Sequence, residues 1–338
     1  MAIKFTKNEE WFTFFDANGN NIERKIEVRY DPLTGETSRV LHGHGLALKS
    51  EDYTIAGEQT GGENCPFCSE NILKMTPIFK QEIASEGRIF HENAIVFPNL
   101  FPYSKHNGVV IFSNQHYVRM QEFTMDMIKH AFMAAQKYIL SVLETDSSSS
   151  YVSINWNYLP NSGGSILHPH LHVIVSESPT NYQANVMEKA AEFKQKTGKE
   201  YFTELLKIEK EMDERWIGEY GNFAWNHAFS PKSHNDFIGI LPDAFGIQDI
   251  TEKDWEDFAK GLTAIFLLLE EQGYPSFNLS LQLTVNPSLK QPIHVRLIPR
   301  FSIGQLGTSD MSFFQTIQQE PLSVFSPEEI CKLARKHF

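Results

Sequence analysis

The chain has 338 residues, 41% of them hydrophobic and 12% aromatic, enough to fill the core of one large or two moderate domains. Against 42 Asp+Glu stand 30 Lys+Arg, and the formal net charge of -12 argues against a general nucleic-acid binder, which needs a basic face to displace counterions. No apolar run reaches bilayer length, and Met1-Ala-Ile-Lys-Phe-Thr-Lys lacks a signal peptide's apolar core, so we expect no membrane partner and a cytoplasmic location.

Early in the chain, Arg29-Tyr-Asp31-Pro32-Leu-Thr-Gly35-Glu36 carries the punctuation of a turn between two extended segments. The stretch Leu41 to Gly62, rich in Gly, His and polar residues, reads as irregular and leads into Cys65-Pro-Phe-Cys68. With Cys331, these make three cysteines, an odd number that suits a reducing compartment. The close pair is half a zinc site or a redox pair. A thioredoxin-like redox motif should open a helix after a strand, and Ser69-Glu-Asn-Ile-Leu after a Gly-rich loop does not clearly do so. A two-Cys knuckle needs two distant ligands. His116, after the strand-like run Gly108 to Phe112, and His168 would complete a closed Cys2His2 set with Cys65 and Cys68.

Thr124 is placed to cap a helix whose apolar positions Ile128, Phe132, Ala135, Ile139 and Val142 recur at helical spacing. The run Glu144 to Ser150 ends it, a strand follows over Tyr151 to Asn157, and the loop Tyr158 to Ser165 contains Gly163-Gly164, whose exposed amides suit an anion. The next strand is expected over Ile166 to Val175. Side chains alternate across a strand, so His168, His170 and His172 share one face and Pro169, Leu171, Val173 and Val175 the other. A single strand histidine is most often structural. Three at alternate positions behind a Ser-Gly-Gly-Ser loop point to a functional site, since imidazole serves as nucleophile, acid, base or metal ligand.

This order of strands and helix, an α+β unit, occurs twice. Phe101-Pro-Tyr-Ser-Lys-His106-Asn matches Phe229-Ser-Pro-Lys-Ser-His234-Asn, and each is followed by a Thr-capped amphipathic helix, the second running from Thr251 to a stop at Gly273. The last strand of the second copy, Ile293 to Arg300, aligns Arg296 with His170, Ile298 with His172, and Phe245 falls where the first copy has His116. Arg296 reads as a surface or ion-paired arginine rather than a phosphate contact. The expected organisation is a first repeat over 1–180, a helical connector over 181–220 packed on the outside, and a degenerate second repeat over 221–338.

The motif His168-Pro-His170-Leu-His172-Val-Ile resembles that of the histidine-triad superfamily. The ordered set of Arg29-Tyr-Asp-Pro-Leu-Thr-Gly, Cys65-Pro-Phe-Cys68, His116, His168-Pro-His170 and a degenerate second repeat resembles the galactose-1-phosphate uridylyltransferase family within it, over nearly the whole chain. The resemblance implies two tandem histidine-triad repeats forming a mainly antiparallel sheet covered by helices. It implies a nucleotidyltransferase of carbohydrate metabolism, with a nucleotide sugar and a sugar phosphate as partners and a homodimer as the assembly. His170 would be the nucleophile that carries the nucleotide, Asn157 and Ser165 would hold the α-phosphate with Gly163 and Gly164 beside them, and Cys65, Cys68, His116 and His168 would bind a structural zinc. With Phe245 and Arg296 in place of two expected histidines, no second metal site of the family's type is expected.

Two residues after the nucleophile the family's uridylyltransferases carry glutamine. Here stands His172, as in the hydrolase branches of the superfamily, and a histidine can help a water or a leaving group. Asp31 replaces the family's more usual Asn, and the family's C-terminal sugar-contacting segment finds no match around Phe313 to Glu320. Two further readings therefore stand beside the transferase: a hydrolase or phosphorylase of nucleotide sugars or dinucleoside polyphosphates, and a zinc-stabilised nucleotide-binding protein without turnover.

Overall fold

The computed structural model describes residues 3–43, 48–49 and 51–338. Its first element is a hairpin, β1 (Thr6–Phe15) and β2 (Asn21–Tyr30), joined through the expected turn to β3 (Thr37–Val40). In that turn Asp31 accepts from the amides of Leu33 and Thr34, and Gly35 sits at φ +76°, the left-handed conformation that favours glycine. Part of the stretch expected to be irregular, 44–47 and 50, lies outside the described residues. Its remainder contains a short helix, α1 (Thr54–Thr60), which the polar composition did not suggest. One further turn of helix, α2 (Ile72–Met75), follows the cysteine pair.

Ten strands among the described residues form the central sheet. The first half contributes β4 (Ile89–His91), β5 (Ala94–Pro98), β6 (His106–Ile111), β7 (Tyr151–Tyr158) and β8 (His170–Ser176), with α3 (Met125–Thr145) between β6 and β7. After α4 (Asn181–Thr197) and α5 (Tyr201–Met212), the second half contributes β9 (Trp216–Tyr220), β10 (Phe223–His227), β11 (Phe237–Leu241), β12 (Ser276–Thr284) and β13 (Ile293–Arg300), with α6 (Glu252–Glu271) between β11 and β12. The spatial order is β4-β5-β6-β8-β7-β12-β13-β11-β10-β9, all antiparallel. The second half thus reverses the first across the β7–β12 seam: these are two tandem histidine-triad-like repeats sharing one sheet, an α+β architecture.

Two details differ from the sequence expectation. Trp216–Tyr220, read as the end of the helical connector, is the edge strand β9. The histidine-bearing strand begins at His170 rather than Ile166. The physical reason lies at Pro169, which has no amide to donate, and at His168, whose ring is committed elsewhere; only the Pro169 carbonyl still bonds across, accepting from Phe112 N at 3.3 Å.

One face of the sheet carries the main core. α3 and α6 pack there side by side on Leu171, Val173, Val175, Ile154 and their second-half counterparts Leu281, Val295 and Leu297, all fully buried. The opposite face is covered differently in each half. Over the second repeat, α4 and α5 lay Val186, Tyr201, Phe202 and Leu205 onto Ala224, Ile238 and Ile240. Over the first, only the small cysteine-bearing lobe closes down, through Phe67 and Ile72 on Phe97, Val109 and Ile111. A cleft is left beside it.

Candidate active site

The four sulfur and nitrogen residues singled out in the sequence converge. One ligand atom each from Cys65, Cys68, His116 and His168 lies within 4.8 Å of the others. Cys65 Sγ is 3.9 Å and Cys68 Sγ 3.7 Å from His168 Nδ1, and Cys68 Sγ is 3.5 Å from His116 Nδ1. A tetrahedral ion with bonds of about 2.3 Å to sulfur and about 2.0 Å to nitrogen sets its sulfur and nitrogen ligands roughly 3.5 Å apart, so this set fits a cation with little movement. Both rings are held from behind. His168 Nε2 donates to the Ser113 carbonyl at 2.7 Å, and His116 Nε2 meets Thr60 Oγ1 at 2.9 Å, whose own hydrogen goes to Ala56 O at 2.7 Å. That arrangement leaves each Nδ1 lone pair facing the sulfurs. Burial pushes the Cys65 thiol up to about 11, so a thiolate there requires a cation beside it, and burial holds His168 down at about 4.

From this cluster the chain passes through Pro169 into β8. His170, only 6% exposed, donates from Nδ1 to the carbonyl of His168 at 2.8 Å, which fixes the ring and leaves Nε2 without its proton. Burial lowers its pKa, so the ring is neutral near pH 7. Phe67, from within the Cys65-Pro-Phe-Cys68 motif, sets its ring edge-on at 5.3 Å from that of His170. His172 lies next along the same face, 5.1 Å from His170 between ring centroids and 5.6 Å from Tyr103. Its Nδ1 is buried with no hydrogen-bond partner among the described residues, and burial holds the ring at about 4.

A cleft of about 300 Å3 opens onto these two histidines. Every substrate-binding residue expected from the sequence, Asn157, Gly163, Gly164 and Ser165, lines it together with His170 and His172. The loop after β7 is built to bring its backbone close. Gly163 takes φ +89°, and a Cβ on Gly164 would stand 2.9 Å from the Asn157 carbonyl oxygen and 3.0 Å from that of Leu159. Asn157 Oδ1 accepts from Asn278 Nδ2 at 2.8 Å, which orients its amide. Opposite the polar loop the wall is apolar and aromatic, with Phe97, Leu100, Phe101 and Val109. Sequence reasoning missed Ser113 and Thr60, which orient the two ligand histidines, because a hydrogen bond to a ring from a distant loop leaves no local pattern.

The paired-repeat sheet with its helices is the fold of solved uridylyltransferase-like structures. An ADP-glucose phosphorylase of Arabidopsis thaliana, solved with bound ADP-glucose, superposes with a TM-score of 0.69 at 16% identity, covering 92% of this chain and 99% of its own. A uridylyltransferase structure superposes with a TM-score of 0.67, again at 16% identity, over 92% of this chain and 98% of its own. In sequence, an uncharacterized protein of Archaeoglobus fulgidus is 32% identical over 321 residues, 95% of this chain and 94% of that one. The chain belongs to one family with that archaeal protein. No family model matches it.

Proposed function

We propose that the protein is a nucleotidyltransferase that moves a nucleoside monophosphate between phosphate-bearing partners through a covalent intermediate on His170, with nucleotide sugar as donor and a sugar 1-phosphate as acceptor. The observation that carries this reading is the His170–His168 carbonyl bond of 2.8 Å, which leaves an unprotonated Nε2 on a ring at the floor of the cleft. The lone pair on Nε2 attacks the α-phosphorus. An N–P bond forms, the P–O bond to the leaving phosphate breaks, and the electron pair departs on that oxygen, which needs no proton because a phosphate is a stable anion. Nδ1 keeps its proton throughout, and the His168 carbonyl stabilises the positive charge that the ring acquires. An acceptor phosphate oxygen then attacks, the P–N bond breaks, and the pair returns to Nε2. The Asn157 amide, the Ser165 hydroxyl and the backbone amides of Gly163 and Gly164 supply donors for the charge that builds on the α-phosphate.

Zinc is the metal that the two thiols and two imidazoles suit, and bound there it would fix the start of β8 as a structural ion with no open position. His168 would then hold metal with Nδ1 while its own carbonyl holds His170, so that the cluster and the nucleophile share one residue.

A second reading is phosphorolysis or hydrolysis, in which phosphate or water replaces the sugar phosphate as acceptor. His172, lining the same cleft with its ring centroid 5.1 Å from that of His170, favours it, because an imidazole at that place can orient an incoming water or phosphate beside the nucleophile. Incubation with a panel of α-32P nucleotide sugars, followed by denaturing quench, should leave acid-labile label on the protein, and His170→Asn should lose at least about 1,000-fold of the labelling rate. Chasing the labelled enzyme with glucose 1-phosphate, phosphate or water alone distinguishes the acceptors. Label that persists in His170→Asn excludes this nucleophile.

A further inference from the structure

At the seam between the repeats Asn157 of β7 stands directly opposite Asn278 of β12. An asparagine side chain ends in two groups of nearly equal size and opposite chemistry, an oxygen that only accepts and a nitrogen that only donates. Which end meets a ligand is decided by what holds the other. Asn157 Oδ1 accepts from Asn278 Nδ2 at 2.8 Å, and its Nδ2 bonds to nothing among the described residues. The end left for the cleft that Asn157 lines is therefore the donor.

Asn278 is itself fixed from both ends. Its Nδ2 also donates to the Ser162 carbonyl at 2.8 Å, and its Oδ1 accepts from Arg300 Nη1 at 2.9 Å. A carbonyl cannot donate and a guanidinium cannot accept, so the amide of Asn278 has one permitted orientation. Arg300 stands two residues past Ile298, the residue opposite Asn278, and so on the same face of the sheet. It is anchored in turn by a bidentate pair with the buried Asp310, Nε to Oδ2 at 2.6 Å and Nη2 to Oδ1 at 2.9 Å. Because Asp310 balances the charge, what Arg300 passes on to Asn278 is a direction of hydrogen bonding rather than a field. The chain of donors runs one way, from the Asp310–Arg300 pair through Asn278 to Asn157, and the bond to Ser162 O also holds the loop immediately ahead of Gly163 and Gly164.

We propose that Asn278, Arg300 and Asp310 are positioning residues supplied by the second repeat, a relay that turns the donor end of Asn157 toward the α-phosphate. The proposal rests on the reading of Asn157 as a phosphate contact, and binding tests it separately from turnover. In full-length His170→Asn protein, calorimetry compares ADP, UDP and GDP with adenosine, uridine and guanosine. Asn278→Asp sets an acceptor where Asn157 now finds a donor, so the Asn157 amide turns over and offers its oxygen to the phosphate. The tightest diphosphate should weaken about 30-fold or more, while its nucleoside stays within about twofold. In an Asn157→Ala background there is no amide to turn, and Asn278→Asp should cost at least about fivefold less than it does with Asn157 present, the added charge being common to both. Arg300→Met/Asp310→Asn removes the anchor without changing net charge, and should weaken the diphosphate about threefold or more with the nucleoside again unmoved. Circular dichroism checks folding in each variant. An equal cost of Asn278→Asp in both backgrounds, or equal losses for diphosphate and nucleoside, overturns the relay even where His170 is labelled; an unchanged affinity in Arg300→Met/Asp310→Asn removes Arg300 and Asp310 from it. The expected pattern with no label on His170 overturns the transfer reading and leaves the relay standing, and failure to bind any diphosphate overturns both.

Discussion

The two repeats put the same strand to opposite uses. In the first, His168 and His170 lead from a cluster of metal-binding character into an open cleft. In the second, the matching His294 and Arg296 lie beneath α4 and α5: the His294 ring stacks on Phe202 at 4.0 Å, where burial holds it at about 3, and Arg296 is paired with a fully buried Asp236. The sheet, its helices and the register are shared, so the fold does not decide which half is reactive. What decides is the covering. Two amphipathic helices cover that face over the second repeat with aromatic side chains, whereas over the first a small lobe pinned by four side chains leaves it open beside the cleft.

If the lobe depends on its cluster, the largest effect should come from breaking it. Cys68→Ser or extraction with a strong chelator should remove bound zinc, measured by plasma emission, and cost roughly 5–10 kcal/mol in the lobe's own stability because metal binding there is folding free energy. Hydrogen exchange should then rise over α1, α2 and the start of β8 while α6 stays protected. His294→Phe, at the matching second-half position, should leave the metal content unchanged. Equal metal in Cys68→Ser and wild type would remove the distinction between the halves.

Next in size is the buried pair of the second repeat. Burial pushes the Asp236 carboxyl up to about 6 against the pull of Arg296, so the pair is held together by mutual need rather than by solvent. Arg296→Met strands that carboxylate and should cost about 3–5 kcal/mol in urea unfolding, with most of the loss recovered in Arg296→Met/Asp236→Asn. His170→Asn, at the equivalent place in the first repeat, strands no charge and should cost far less.

The second half is also the one clamped by charge to the chain's two ends. Arg29 of β2 bonds Glu27 at 2.8 Å and, at 2.8 Å, Glu328 of the C-terminal helix Pro327–Ala334. Burial works to raise the Glu27 pKa, but hydrogen bonds from Lys7, Arg29 and Lys25 outweigh it and hold the carboxyl at about 2, below its ordinary 4.5. A depressed folded pKa means stability that is present above 4.5 and lost as pH falls toward 2, a contribution of about 3 kcal/mol. Denaturant midpoints taken across that window should fall in both proteins but less steeply in Glu27→Gln than in wild type, the remaining slope coming from Glu328 and the other carboxylates held below their ordinary range.

Much of this was legible in advance where chemistry is local or repeats. The two threonine caps, the turn at Asp31, the Cys65–Cys68 pair and the alternation on β8 each declare themselves within a few residues. The expected start of β8 was four residues early because the periodicity of His168, His170 and His172 continues through a residue whose ring is turned toward Ser113 and the sulfurs. Partners brought by the connector were out of reach altogether: nothing near Arg296 in sequence announces Tyr182 or Asp236, which arrive from α4 and from the loop before β11.

The caps themselves give the finest comparison. Thr124 Oγ1 accepts from Met127 N at 3.2 Å, a single bond at the start of α3. Thr251 Oγ1 accepts from Asp254 N at 3.2 Å, and Asp254 answers by accepting from Thr251 N at 2.9 Å, a reciprocal box that α3 lacks because its third position is methionine. Thr124→Ala should therefore cost about 1 kcal/mol, and Thr251→Ala about 1.5 kcal/mol, since the second also frees a carboxylate that bonds the threonine hydroxyl. Asp254→Ala should bring the second helix down to the single-bond value. A loss in Thr124→Ala equal to that in Thr251→Ala would mean that the returning bond adds nothing, and that the two helix starts, like the two halves of the sheet they cover, differ in sequence without differing in strength.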